Sequence, residues 1–252
     1  MGALSTVQIE GQGLSERQWA TSPALAALPS ISPEALFRGA ARLVVVAPHP
    51  DDEVLGCGGA MALARSRGMQ VVVVSVTDGE AAYPGEPAWT PERLSQVRQR
   101  ELIEALGRLD VAPTSVVRLH VGDGKVRAGV PLIVARLSDL LSSTDLVLVT
   151  YARDGHPDHE ACAEAAVQAC AARGVRLLQY PVWAWHWDGP EPSGFLRDAM
   201  RMDLPSDVLQ AKREAIAAFK SQTGAVSPPV SAPILPHWAL ARFQRPFEVF
   251  VP

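Results

Sequence analysis

The chain has 252 residues, with 23 lysines and arginines against 27 aspartates and glutamates, giving a formal net charge of −4. A surface that follows nucleic-acid phosphates needs a basic excess, so this balance disfavours a nucleic-acid partner. Hydrophobic residues make up 48% of the chain and charged residues 20%, which excludes the composition of a disordered protein.

The cysteine content and the hydropathy predict a cytoplasmic protein. Cys57, Cys162 and Cys170 are odd in number and form no C-x-x-C pair, so neither a disulfide framework nor a thiolate zinc site is indicated. No apolar run approaches the roughly 18 residues of a membrane span, and the first thirty residues lack an export signal. We therefore expect no membrane partner. The oligomeric state stays open, with a homo-oligomer among the options.

Short apolar runs alternate with helix-like stretches through most of the chain. Residues 1–38 are predicted to be an irregular lead-in with at most short helices, and residues 39–252 a single domain. The alternation predicts a mostly parallel sheet in a Rossmann-like three-layer α/β/α fold. The predicted strands are 43–48, 71–77, 115–120, 145–150 and 175–180, and the predicted helices are 54–67, 91–108, 131–142 and 159–173.

Beyond residue 180 the alternation stops. Residues 181–205 are rich in Trp and Pro, 206–220 are predicted to be a helix, 226–236 a loop, and 247–251 a last strand.

Three tryptophans stand in the first of these segments. In an extended chain Trp183, Trp185 and Trp187 would project to one side, where indoles suit the face of a sugar ring. Trp185 is therefore a candidate substrate contact. A packed Trp ridge beneath the C-terminal loops is the alternative.

A dense polar cluster follows the first predicted strand, in the segment PHPDDE (48–53). Ligands of open parallel sheets bind at the carboxyl ends of the strands. His49 and Asp52 are three residues apart on a helical turn and can face one point, with Asp51 towards the cavity. An acidic helix N-terminus would explain the carboxylates but not His49.

The segment DGHPDH (154–159) has the same placement after the strand 145–150. His159 with His49 and Asp52 would give a metal two nitrogens and one oxygen, leaving a position for water as in catalytic zinc sites. Two imidazoles disfavour a hard, oxygen-seeking cation such as magnesium. The sequence therefore predicts Zn²⁺ as cofactor.

The paired motifs resemble those of the LmbE-like, or PIG-L, family of zinc-dependent N-deacetylases. That family carries (A/P)HPDDE after its first strand and HPDH further on, and both stand here intact. Weaker matches support the pair and extend the resemblance from about residue 43 to 251. They are Arg98-x-x-Glu101, Lys212, Ser221-Gln222 and Glu248.

The resemblance implies that His49, Asp52 and His159 ligate Zn²⁺, that Asp51 is the general base, and that His156 faces the developing oxyanion. It implies removal of an N-acetyl or similar small N-acyl group from an amino sugar or N-acylated glycoside by metal-bound hydroxide. Water on zinc has a pKa near 7, and a nearby carboxylate can take its proton, so the chemistry agrees. A protonated His156 would stabilise negative charge on the intermediate.

Several other residues are candidates for supporting roles. Asp158 either orients His156 or His159, or caps a helix. Arg98 and Arg153 are candidates to hold substrate hydroxyls or a phosphate, although Arg98 has Glu101 as an alternative partner.

One position departs from the family pattern. Asp154 stands where the mycothiol branch of the family has a Tyr that helps to bind the carbonyl. Either Asp154, a candidate substrate contact, plays a different part, or another residue such as Tyr151 supplies the donor.

Three other functions compete with deacetylation. A dinucleotide-dependent oxidoreductase is disfavoured because the turn at Gly56 lacks the third glycine of G-x-G-x-x-G, and the acids before it would repel a pyrophosphate. A metal-dependent phosphoesterase, or an amidase acting on another small molecule, is a nearer alternative. A non-catalytic metal- or sugar-binding module is the third, and it would need no base at Asp51.

Overall fold

A five-stranded sheet forms the centre of the fold. The computed structural model describes residues 11–191 and 194–252, and the sheet strands are β1 Arg42–Ala47, β2 Gln70–Ser75, β3 Val116–Arg118, β4 Asp145–Thr150 and β5 Arg176–Tyr180. Their order is β3-β2-β1-β4-β5, and all four neighbouring pairs are parallel. Strands β1, β2 and β4 are buried almost throughout, as apolar strands between two helical layers must be.

Helices cover both faces of this sheet. They are α1 Glu16–Ala20, α2 Pro23–Ala26, α3 Pro33–Leu36, α4 Asp52–Ser66, α5 Pro91–Arg108, α6 Val126–Leu140, α7 Pro157–Arg173, α8 Ala184–Trp187, α9 Ser206–Ile216, α10 Lys220–Thr223 and α11 His237–Leu240. Along β1, Leu43 and Val45 pack towards α4 and α5, whereas Val44 and Val46 pack towards α6 and α7. This alternation confirms the predicted three-layer α/β/α fold. No helix in the described ranges is long and apolar enough to cross a membrane.

The lead-in packs on the first of these two cores. Its three short helices bury Trp19, Leu25 and Leu36 in the same cluster as Leu43 of β1. Residues 1–10 of the predicted lead-in lie outside the described residues.

The C-terminal region departs most from prediction. Strand β7, Phe247–Phe250, pairs antiparallel with an unpredicted strand β6, Met200–Asp203. The predicted helix 206–220 ends at Ile216, and α10 follows as a separate turn.

Helix α6 begins at Val126, five residues before the predicted start. The Asp158 carboxylate accepts hydrogen bonds from Gly124 N at 2.7 Å and Val126 N at 3.2 Å, which satisfies amides at the start of the helix. This cap comes from α7, so the sequence around residue 126 does not reveal it.

Helix α4 is kinked at Cys57, whose backbone is non-helical. The carboxylate of Glu248 accepts hydrogen bonds from Gly59 N at 2.7 Å and Ala60 N at 2.8 Å, just beyond the kink. Lys212 Nζ lies 2.6 Å from the same carboxylate, and both side chains are buried. Glu248 therefore caps the second half of α4, with Lys212 balancing its charge.

Candidate active site

The two predicted polar clusters meet at the carboxyl edge of the sheet. His49 follows β1, the segment 154–159 follows β4, and these strands are neighbours in the sheet. The order of the strands thus brings together two motifs that lie about a hundred residues apart in the sequence.

Three side-chain atoms form a nearly equilateral triangle at this edge. His49 Nδ1 lies 3.2 Å from Asp52 Oδ2, His159 Nε2 lies 3.3 Å from the same oxygen, and the two nitrogens are 3.3 Å apart. Zinc–ligand bonds of about 2.0–2.2 Å give a tetrahedron with edges of roughly 3.3–3.6 Å. The three atoms therefore have the spacing of one face of a tetrahedral zinc site.

The chemistry of these donors also fits a metal. His159 Nδ1 lies 2.8 Å from Asp154 Oδ2, so Nδ1 carries a proton and Nε2 is left to face Asp52 and His49. Lone pairs of two imidazoles and a carboxylate repel one another at this spacing unless a proton or a metal ion lies among them. Burial alone lowers the pKa of His159, but the carboxylates of Asp52 and Asp154 outweigh it and raise the pKa to about 9.

Two further carboxylates orient the ring of His49. Its Nε2 lies 3.2 Å from Asp123 Oδ1 and 3.4 Å from Asp158 Oδ2. Of the two roles predicted for the Asp158 carboxylate, a helix cap is present, although on α6, and the histidine that it contacts is His49 rather than His156 or His159. Asp123 is a further site residue that the motifs do not reveal, since its only signal in the sequence is its position after the third strand.

Asp51 is held beside the triangle in a strained conformation. Its φ of 151° is unusual for a residue with a side chain, and such strain costs about 1–3 kcal/mol where the surroundings enforce it. Glu53 Oε2 accepts a hydrogen bond from Asp51 N at 3.2 Å, and Arg98 Nη2 donates to Asp51 Oδ2 at 3.1 Å. Burial raises the pKa of Asp51, the charge of Arg98 opposes this, and the pKa is about 7.

Arg98 lines the cavity, and its guanidinium supports Asp51. It also donates to Pro50 O at 2.9 Å and Gly79 O at 3.1 Å, so it ties the first motif to the loop after β2. Gly79 has φ +65°, and a Cβ there would lie 2.0 Å from Arg98 Nη1. The alternative pairing with Glu101 does not form, because the Glu101 carboxylate binds Ser221.

His156 caps helix α7 with its ring. Nδ1 accepts a hydrogen bond from Asp158 N at 3.2 Å, which in a neutral ring places the proton on Nε2. Burial, followed by the positive charges of His159 and His49, lowers the pKa of His156 to about 3. The structure therefore indicates a neutral hydrogen-bond donor rather than the protonated ring that we considered from the sequence.

A cavity of about 170 Å³ opens onto these groups. Polar side chains form one part of its wall, and apolar side chains form another. The described residues that line it are His49, Asp51, Asp52, Leu55, Ala81, Ala82, Arg98, Asp123, His156, Val182, Trp183, Gln222, Ile234 and Leu235.

The prediction of an extended Trp segment is wrong, because Ala184–Trp187 forms the helical turn α8. Trp185 is buried against Trp19 and Phe195, with ring centroids 5.0 and 4.7 Å away, so it does not reach the cavity as a substrate contact would. Trp183 lies in the cavity wall instead.

Arg153 and Asp154 are not among the described residues that line the cavity. The Arg153 guanidinium donates to Tyr151 Oη at the surface. Asp154 is fully buried, and its carboxylate accepts hydrogen bonds from the amides of Val182, Trp183 and Ala184 besides the bond from His159. The carboxylate of Asp154 is thus occupied by His159 and by the segment 182–184, and the Arg153 guanidinium by Tyr151.

This fold and site define a Rossmann-like α/β protein with a candidate metal centre at the carboxyl end of its sheet. Residues 44–170, half of the chain, match the family model "PIG-L: GlcNAc-PI de-N-acetylase". The chain belongs to this family, as the sequence motifs predicted.

Individual relatives show how far the similarity extends. A 1D-myo-inositol 2-acetamido-2-deoxy-alpha-D-glucopyranoside deacetylase from Nocardia farcinica is 31% identical over 203 residues, which cover 69% of this chain and 63% of that protein. The chain spans about three fifths of the length of such curated relatives.

Solved structures share the fold. The A40926 pseudoaglycone deacetylase has a TM-score of 0.64 at 24% identity, over 84% of this chain and 96% of that one. The 4-carboxy-2-hydroxymuconate hydratase of Pseudomonas putida KT2440 has a TM-score of 0.57 at 21% identity, over 72% and 80% of the two chains. Because a hydratase shares this fold, the function has to be argued from the site.

Proposed function

We propose that this chain is a zinc-dependent hydrolase that removes an acetyl or similar small acyl group from the nitrogen of an amino sugar or N-acylated glycoside. The observation that carries the proposal is the donor triangle of His49, Asp52 and His159 beside the carboxylate of Asp51, at one cavity. A metal-binding module without catalysis would have no need of a strained, buried base.

His49, Asp52 and His159 would hold the zinc ion. When bound, zinc polarises an acyl carbonyl and lowers the pKa of water to about 7. Asp51 takes a proton from the attacking water as the oxygen of that water forms a bond to the acyl carbon. When the C–N bond breaks, Asp51 returns the proton to the departing amine. Burial favours the protonated form of Asp51 and the charge of Arg98 favours the carboxylate, so this side chain is suited both to accept and to return a proton.

His156 stabilises the charge that develops on the acyl oxygen. Its Nε2–H is a neutral donor fixed by the bond from Asp158 N to Nδ1, so it needs no reorganisation during the reaction. Arg98 holds the Asp51 carboxylate, and Asp154 holds the ring of His159.

The size and lining of the cavity support a small acyl group. At about 170 Å³ it is smaller than the roughly 300–1,000 Å³ pockets that enclose drug-sized ligands. Leu55, Val182 and Leu235 offer apolar contacts for a methyl group. The amino-sugar part of the proposal is supported by the Nocardia relative, whose name specifies an acetamido sugar. Three free, buried cysteines suit a reducing compartment, so the proposal places the reaction in the cytoplasm.

A substrate panel tests the proposal. Purified protein is stripped with chelator, reloaded with zinc, and assayed for primary-amine release from N-acetyl and longer N-acyl amino sugars and their glycosides. We expect amine release that depends on the metal and falls with acyl length. Turnover of unsaturated acids by hydration, with no amine release from any member of the panel, would contradict the proposal.

A further inference from the structure

A buried acceptor on a residue of the cavity wall lacks a partner in the part of the chain that the structure describes. Gln222 lies on α10, is fully buried, and lines the same cavity as Asp51 and His156. Its side-chain Oε1 has no hydrogen-bond partner among the described residues. Buried polar atoms are nearly always paired, so an unpaired one in a cavity wall points to a partner supplied by the ligand.

A hydrogen-bond relay fixes the orientation of the Gln222 amide. The Glu101 carboxylate accepts bonds from Ser221 N at 2.7 Å and Ser221 Oγ at 2.6 Å. Because Ser221 Oγ gives its single hydrogen to Glu101, it can only accept the bond that joins it to Gln222 Nε2 at 2.9 Å. A flipped amide would set Oε1 against a lone pair of Ser221 Oγ, so Oε1 is the end left without a partner among residues 11–191 and 194–252.

The backbone of α10 is also fixed. Tyr83 Oη donates to Ser221 O at 2.5 Å, and Leu235 N donates to Gln222 O at 2.9 Å. These bonds join α10 to the loop after β2 and to the loop before α11. The backbone at Gln222 is therefore held on both sides, and the bond from Nε2 to Ser221 Oγ holds the side chain.

We propose that Gln222 Oε1 accepts a hydrogen bond from the N–H of the substrate's N-acyl group, and that this bond makes the site prefer amides to esters. The inference rests on the proposed deacylase function. Every N-acylated sugar carries this N–H next to the carbonyl that is attacked, and an O-acyl ester lacks it. The product amine keeps an N–H at the same place, so Gln222 Oε1 can accept a hydrogen bond from the substrate and from the product.

The test compares an amide with its ester counterpart in the wild type and in two variants without the acceptor, Gln222→Leu and Gln222→Met. The amide is the substrate with the highest activity in the panel, and in the ester oxygen replaces the N–H. We expect each variant to lower kcat/KM for the amide about tenfold and to change the ester less than about twofold. Where the ester binds without turnover, its inhibition constant replaces kcat/KM.

A matched control is Gln168→Leu, since Gln168 is an exposed glutamine on α7, and we expect wild-type kinetics there. Metal content and thermal melting establish that each variant is folded. Equal losses on amide and ester, or no loss on the amide, would overturn the role of Gln222 while leaving the deacylase proposal in place. A wild type that releases no amine would instead overturn the proposed function itself.

Discussion

The carboxylate of Asp154 lies 2.8 Å from Nδ1 of His159, and both side chains are fully buried. This contact decides which nitrogen of His159 is available to a metal, because the proton shared with Asp154 leaves Nε2 to face Asp52. Three backbone amides of residues 182–184 donate to the same carboxylate. Asp154 therefore couples the candidate metal centre to the segment that carries Trp183 into the cavity wall.

Replacing Asp154 by Asn is expected to weaken zinc binding about 10- to 100-fold. An amide has only one oxygen and brings two hydrogens to a place where four donors converge, so His159 loses its fixed orientation. Competition with a chromogenic chelator measures the affinity. Asp188→Asn is the control, since that carboxylate also accepts backbone amides but does not contact the site. Equal affinities in the two variants would contradict this role.

The two histidines of the second motif are expected to respond differently to replacement by Ala. His159→Ala should lose the metal, because Nε2 is one corner of the donor triangle. His156→Ala should keep the metal and lose about 10²–10³-fold in turnover, the usual cost of an oxyanion donor. Metal per chain after dialysis and amine release give the two readouts. The opposite pattern would exchange the two roles.

Zinc binding is expected to release protons at about pH 7.5. The pKa of His159 in the metal-free protein is raised from 6.5 to about 9, so its proton stabilises the metal-free fold fully below pH 6.5 and is lost as pH rises through 9. At about pH 7.5 zinc must displace that proton. Calorimetric titrations in buffers of different ionisation enthalpy measure the number released. Heats that do not depend on the buffer would rule out this protonation state.

Glu248→Gln is expected to lower the free energy of unfolding by about 3 kcal/mol. The change leaves the buried Lys212 ammonium without a counter-charge and weakens the cap on α4. Urea denaturation measures the difference. Glu104→Gln removes the charge from an exposed pair with Arg108 and should cost less than about 0.5 kcal/mol. Similar losses in both variants would show that the buried pair is not important for stability.

Much of the fold was predictable, because the β-branched runs and the helix-like stretches between them are local signals. The sequence also predicted that His49, Asp52 and His159 converge, since both motifs follow strands that end at one sheet edge. Strand β6 was missed because the tetrapeptide at Met200 has no strand pattern of its own and is defined by its pairing with β7.

The supporting contacts of the site were harder to predict. Asp154 and Asp158 are two carboxylates in one motif, and only tertiary packing decides that the first holds His159 and the second holds His49. The alternating tryptophans fit an extended strand, in which every second side chain projects to the same side. The chain forms a helical turn there instead, and this directs Trp185 into the core. Gln222 belongs to a recognised motif, but the sequence gives no sign that its Oε1 is unpaired or that the residue lines the cavity.

The central claim is that Asp51 moves the proton in a metal-dependent deacylation. The most direct measurement compares wild type with Asp51→Asn for zinc per chain and for amine release from the substrate with the highest activity in the panel. We predict one zinc per chain in both proteins and at least about 10²-fold slower amine release in the variant. Unchanged amine release by Asp51→Asn with zinc bound would contradict the account.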